Sequence, residues 1–102
     1  MGGPADEVVL VVRSGPDTPG GRRALALCAE RAARDEPTTL ALLGDAVALA
    51  QEADAAGARV VCVAEDLASR GLSTERLQNA SEVDYGQLVD ILMAGGPVVG
   101  AL

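Results

Sequence analysis

The chain alternates between short runs that are apolar throughout and longer stretches whose apolar positions recur at helical spacing. Residues 7–12, EVVLVV, form a β-branched run with no polar alternation. That pattern suits a strand buried on both faces of a parallel sheet, at or near its centre. Ser14 to Gly21, SGPDTPGG, is dense in Pro and Gly and reads as a loop. A helix is predicted from Arg22 to Arg34, with Ala24, Leu25, Cys28 and Ala32 on one face and Arg22, Glu30, Ala33 and Arg34 turned away. Asp35 to Pro37 ends it. Thr39 to Leu43, TLALL, is a second apolar strand, closed by Gly44 and Asp45. Asp45 can cap the next helix, Ala46 to Ala56, whose Ala46, Leu49, Ala50 and Ala53 share a stripe, with Gly57 as its stop.

Arg59 to Val63, RVVCV, is a third buried strand, and it leads directly into AEDLASRGL, an acidic helical start broken at Gly71. Ser73 or Thr74 can cap one further short turn. Ser81 to Val83 reads as a weak fourth strand. Asp84, followed three residues later by Gln87, resembles a capping box for a helix from Tyr85 to Ala94, with Tyr85, Leu88, Val89 and Leu92 as its apolar face. Gly95, Gly96 and Pro97 stop that helix, and VVGAL is either a short last strand or a tail used at an interface.

Strand and helix alternate with short connections, so the expected fold is α/β: a three-layer α/β/α arrangement around a mostly parallel sheet of four to five strands. Residues 1–102 are expected to form a single domain. Composition sharpens this picture. With no Phe, no Trp and one Tyr, the core must be built from Leu, Val, Ile and Ala, and stacking platforms for single-stranded nucleic acid are absent. The formal charge is −7, with 15 acidic side chains against 8 basic ones, all of them arginine; direct nucleic-acid binding is not expected. The chain has no histidine, which excludes Ser-His-Asp and Cys-His catalysis and histidine-bound zinc within one chain. A metal site made of carboxylates alone has no spacing signature here, and no cofactor is implied. Met1 to Glu7 lacks a basic region followed by a long apolar one, and no stretch approaches membrane-spanning length. A cytoplasmic location without membrane partners is therefore expected. Cys28 and Cys62 are too few for a disulfide framework and are expected as free thiols, with a bond between them left open.

In an open parallel sheet, ligands collect beyond the carboxyl ends of the strands. Three segments should meet there: Ser14 to Gly21, Gly44 with Asp45, and Cys62 to Asp66. Candidate substrate contacts on this rim are Ser14, Asp45, Glu65 and Asp66, with Asp17 and Thr18 beside them. Two readings are open for Cys62. A thiol near the first turn of a helix is favoured as thiolate, which suits a nucleophile or persulfide carrier; from the residues alone the plainer reading of a thiol between Val61 and Val63 is a strand-core residue, and Glu65 and Asp66 would raise its pKa. Cys28 lies on an apolar helix stripe, where a small hydrophobe facing the sheet is the plainer reading. Asp45 is explained by capping alone, and Glu65 with Asp66 by the dipole of the helix they open. SGPDTPGG has the composition of an anion-cradling turn but matches neither the dinucleotide fingerprint nor the P-loop.

VVCVAEDLASRGL, Val60 to Leu72, followed by SEVDYGQLVDIL, Ser81 to Leu92, resembles the DsrE/DsrF/DsrH family of small sulfur-relay proteins, most closely the DsrH/TusB branch. The residues carrying the likeness are Glu65, Asp66, Leu67, Arg70, Gly71 and Leu72, then Val83, Asp84, Tyr85, Leu88 and Val89; LLGDAV, Leu42 to Val47, is similar to the family's second strand and aspartate turn. The resemblance implies a parallel-sheet α/β fold, cytoplasmic location, homo- or hetero-oligomeric assembly, and passage of sulfane sulfur as a cysteine persulfide between donor and acceptor proteins. The settings it implies are tRNA 2-thiouridine synthesis (tRNA thiolation) or sulfur oxidation. In the DsrE/TusD branch the catalytic cysteine lies just before a helix ending in RG. Aligned on Arg70 and Gly71, Cys62 stands one residue upstream of that position, while some DsrH-like members carry a cysteine near Cys28.

Three functions follow. The first is a sulfurtransferase-type relay protein with Cys62 or Cys28 as carrier. The second is a non-catalytic oligomeric subunit or interaction module with buried thiols. The third, a small-molecule or nucleotide-binding α/β module built on SGPDTPGG, has least support because no lysine is present to neutralise phosphate.

Overall fold

The structure, a computed structural model, describes residues 8–94 and 98–100. The elements follow in the order β1 (Val8–Val12), α1 (Pro19–Ala33), β2 (Thr38–Leu42), a 3-10 helix (Gly44–Leu49) running into α2 (Ala50–Ala55), β3 (Arg59–Val63), α3 (Ala64–Ala68), β4 (Ala80–Val83), α4 (Tyr85–Ala94) and β5 (Val98–Val99). The expected stop at Gly95 to Pro97, the segment Met1 to Glu7 and the last two residues of VVGAL lie outside the described residues. Val98 and Val99 form a short last strand, one of the two roles open to that tail.

The five strands are all parallel in the order β4-β3-β2-β1-β5. This is the α/β architecture expected from the alternating pattern. β2 is the central strand, with all five residues buried, and β1 lies beside it next to the edge strand β5. The chain steps one way from β1 to β4, so right-handed crossovers put α1, α2 and α3 on one face. The return from β4 to β5 runs the other way and puts α4 on the opposite face.

The side chains divide accordingly. Leu10, Val12, Leu40, Leu42, Val60 and Cys62 point into the layer of α1 to α3, where they meet Ala24, Cys28, Val47, Leu49, Ala53 and Leu67. Val9, Ala41, Val61, Val63 and Val83 point the other way onto Leu88, with Ile91 and Leu92 half-buried beside them. Alanines on α1 and α2 let helices approach the sheet closely, which is how a core without Phe or Trp is filled.

Several boundaries differ from the sequence reading for physical reasons. Helix α1 begins three residues earlier, because Thr18 caps it and Pro19 opens it with a preset φ. The Thr18 hydroxyl accepts from Gly21 N–H at 3.1 Å and donates to the Gly15 carbonyl at 2.7 Å. A Cβ at position 21 would fall 2.3 Å from that Gly15 carbonyl oxygen, so only glycine fits there. Ala32 is exposed instead of lying on the buried stripe. Asp45 makes no capping bond: the 3-10 helix starts after Leu43 without a side-chain cap. The Ala46, Leu49, Ala50, Ala53 stripe is buried as expected, and Gly57 ends α2 at φ +89°. On α4 the buried side is Leu88 with Ile91 and Leu92, whereas Tyr85 and Val89 face solvent. The capping box is present in both directions: Gln87 N–H donates to Asp84 Oδ1 at 2.7 Å and Asp84 N–H to Gln87 Oε1 at 3.0 Å.

Candidate functional site at the carboxyl rim

Because every strand is parallel, the residues after β1, β2, β3 and β4 emerge along one rim of the sheet. Asp66, in the first turn of α3, is its hub. Its Oδ2 accepts from the Gly44 backbone N–H and from the Tyr85 hydroxyl, both at 2.8 Å. Gly44 sits at φ +58°, a turn conformation that aims its N–H at the carboxylate and suits glycine. Arg70 closes the network: one nitrogen donates to Asp45 Oδ1 at 2.8 Å, another to the Asp66 carbonyl and the Ser69 hydroxyl at 3.0 Å. The rim opens into a cleft of about 290 Å³ lined by Arg13, Leu43, Gly44, Asp45, Arg70 and Tyr85.

The charges respond to these contacts. The Asp66 carboxyl is held below the usual carboxylate range, first by the Gly44 N–H and then, against some desolvation, by the Tyr85 hydroxyl and Arg70. The Tyr85 hydroxyl is pushed up, chiefly because its proton is held by Asp66.

Of the predicted substrate contacts, the structure brings Asp45 and Asp66 together through Gly44 and Arg70. Ser14 is half-buried and Glu65 exposed, and among the described residues neither side chain makes a hydrogen bond or ion pair. Thr18 is used as a helix cap, and Asp17 is exposed. Arg13, Arg70 and Tyr85 also line the cleft, beyond the site residues expected from sequence. Arg70 and Tyr85 stand within the family-like motifs, so a signal existed; a single arginine after a strand gives none.

Neither cysteine reaches this rim. Both are free thiols, Cys62 at 0% and Cys28 at 1% exposure, and both lie in the layer under α1 to α3. Desolvation, reinforced by the charge of Glu82, pushes the Cys62 thiol up to about 12. Burial raises Cys28 as well, partly offset by Arg31. The neighbouring position, Val63, projects to the other side of the sheet against α4. One residue along β3 thus exchanges one packed layer for the other. Among the described residues no three His, Cys, Asp or Glu side chains gather as a metal site would require, and no helix is long and apolar enough to cross a membrane.

Fold and rim together define a small open-sheet α/β protein with a polar site at the strand ends. The chain belongs to the DsrH-like protein family, whose model matches residues 18–95. No curated protein matches it significantly in sequence. Its fold is shared by solved structures, among them the following two. The crystal structure of the ychN protein from E. coli matches with a TM-score of 0.73 at 18% identity, covering 94% of this chain and 99% of that one. A conserved protein of unknown function, BT1422 from Bacteroides thetaiotaomicron, matches with a TM-score of 0.73 at 14% identity, covering 94% and 95%.

Proposed function

We propose that this chain serves a sulfur-relay system as an oligomeric subunit that does not itself carry sulfur, supporting transfer between cysteines of partner proteins. The settings would be those of the wider family, tRNA thiolation or sulfur oxidation. The observation that carries this reading is the burial of both thiols. A persulfide carrier must present a thiolate to a donor and then to an acceptor. Cys62 instead lies in an apolar layer that favours its neutral form, and position 63, which corresponds to the cysteine of the DsrE/TusD branch, is valine.

A second feature supports the subunit role. Helix α4 is apolar on both sides, and Tyr85, Val89 and Met93, spaced at four residues, form an outward stripe in which Met93 is 82% exposed. An exposed apolar stripe of this kind, beside the polar Gln87 and Asp90, is the mark of an interaction surface. That stripe is the surface a subunit would offer to its assembly.

The test is intact-mass analysis of the native chain after incubation with a persulfide donor. The expected spectrum shows no added sulfur, while the same chain unfolded in denaturant takes it up. A gain of one sulfur atom on the native chain, reversed by reductant and abolished by Cys62→Ser or Cys28→Ser alone, would overturn the reading and make that cysteine the carrier.

A further inference from the structure

We infer that the rim cleft between Arg13 and Arg70 binds a small, doubly charged oxyanion of sulfate size. The network around Asp66 explains why Gly44, Arg70 and Tyr85 are where they are, since it ties the turn after β2 to α3 and α4. It leaves Arg13 unexplained. That side chain is exposed at the end of β1, lines the cleft, and among the described residues has no hydrogen-bond or ion-pair partner. Arg70, on the same cleft, is held by the Asp66 carbonyl and the Ser69 hydroxyl on one nitrogen, so its guanidinium is already oriented. Pre-orientation lowers the cost of binding.

The other nitrogen of Arg70 meets Asp45, whose side chain is 76% exposed. An exposed pair of this kind is weak, and Asp45 occupies the place that a ligand oxygen would take. An oxyanion with two charges could engage Arg13 and Arg70 together with charge-assisted bonds, displacing Asp45 into solvent. Tyr85 also lines the cleft, and its hydroxyl stays committed to Asp66.

The experiment is a titration of the isotopically labelled chain with sodium sulfate, followed by backbone and arginine side-chain NMR signals, with sodium chloride at matched ionic strength as the control. Sulfate should produce saturable shifts at Arg13, Gly44, Asp45 and Arg70 that chloride does not. Arg13→Gln should weaken the binding by about tenfold to a hundredfold, as expected for loss of a charge-assisted bond. Asp45→Asn should act in the opposite direction and tighten it, because the internal competitor loses its charge. Shifts that do not saturate, an Arg13→Gln variant that binds like the parent, or an Asp45→Asn variant that binds no tighter would each overturn the proposal. It holds independently of the sulfur-relay reading, because persulfide labelling reports on the thiols and this titration on the rim.

Discussion

Cys62 and Asp66 stand four positions apart in the chain, yet they occupy opposite kinds of place. Cys62 is sealed in the layer between the sheet and α1 to α3, where burial opposes ionisation. Asp66 sits at the open end of the strands, where a backbone N–H, a phenol and a guanidinium favour its charge. The boundary between them is the end of β3. Thiol chemistry needs the sulfur on the rim side of that boundary, and this chain has placed its thiols on the other side while concentrating its polar constellation on the rim. Possession of a cysteine in the right segment is therefore a weaker functional indicator than the direction in which its side chain leaves the strand.

The largest expected effect lies within the sealed layer. Leu42→Ala removes a fully buried side chain from the central strand and should cost about 2–5 kcal/mol in urea unfolding. Cys62→Ser comes next, at about 1–3 kcal/mol, because a hydroxyl would lie where no partner is at hand. Alkaline titration sharpens the same point. The neutral Cys62 thiol contributes stability that is fully present below its ordinary value of 9.0 and is lost as pH rises toward about 12, where the folded thiol ionises. The parent should thus lose more stability than Cys62→Ala across that window.

At the rim, Asp66→Asn keeps an acceptor but loses its charge, and the expected cost is about 1 kcal/mol. Its acid dependence has the opposite sign to that of the thiol. Because the folded carboxyl lies low, its contribution is present above the ordinary aspartate value of about 3.9 and is lost as pH falls through the depressed one. The variant should lack that acid-side loss when unfolding is followed below about pH 4. Smallest of all, Val89→Ala on the outer side of α4 should change monomer stability by no more than about 0.5 kcal/mol. A larger effect seen only at high protein concentration would locate an interface there.

Much of this arrangement was legible in the residues. The apolar runs of β1, β2 and β3, the stop at Gly57 and the Asp84–Gln87 capping box each rest on a local signal that tertiary structure had no reason to override. The start of α1 is not, because Pro and Gly in SGPDTPGG carry a loop signal although Thr18 caps and Pro19 opens the helix. The direction of Cys62 was hidden for a different reason. RVVCV is buried from its second residue onward on both faces, so no polar alternation marks which residues face which layer. The sequence places Asp45 and Asp66 on the rim, but their partners Arg70 and Tyr85 come from separate elements. Helical spacing alone puts Tyr85 on the buried face of α4, since the periodicity of that helix is blurred by apolar residues on both sides. Arg13 follows a strand with nothing around it in sequence to set it apart.

The most direct test of the sealed-thiol account is the rate at which a small alkylating reagent modifies the native chain, compared with the same chain in denaturing urea. Both cysteines should stay unmodified in the native state over a time in which the unfolded chain is labelled twice, with native labelling slowed by the factor that the opening equilibrium sets. If either thiol of the native chain reacts at the rate of the unfolded one, the layer beneath α1 to α3 is open to solvent, and a carrier role for that cysteine returns.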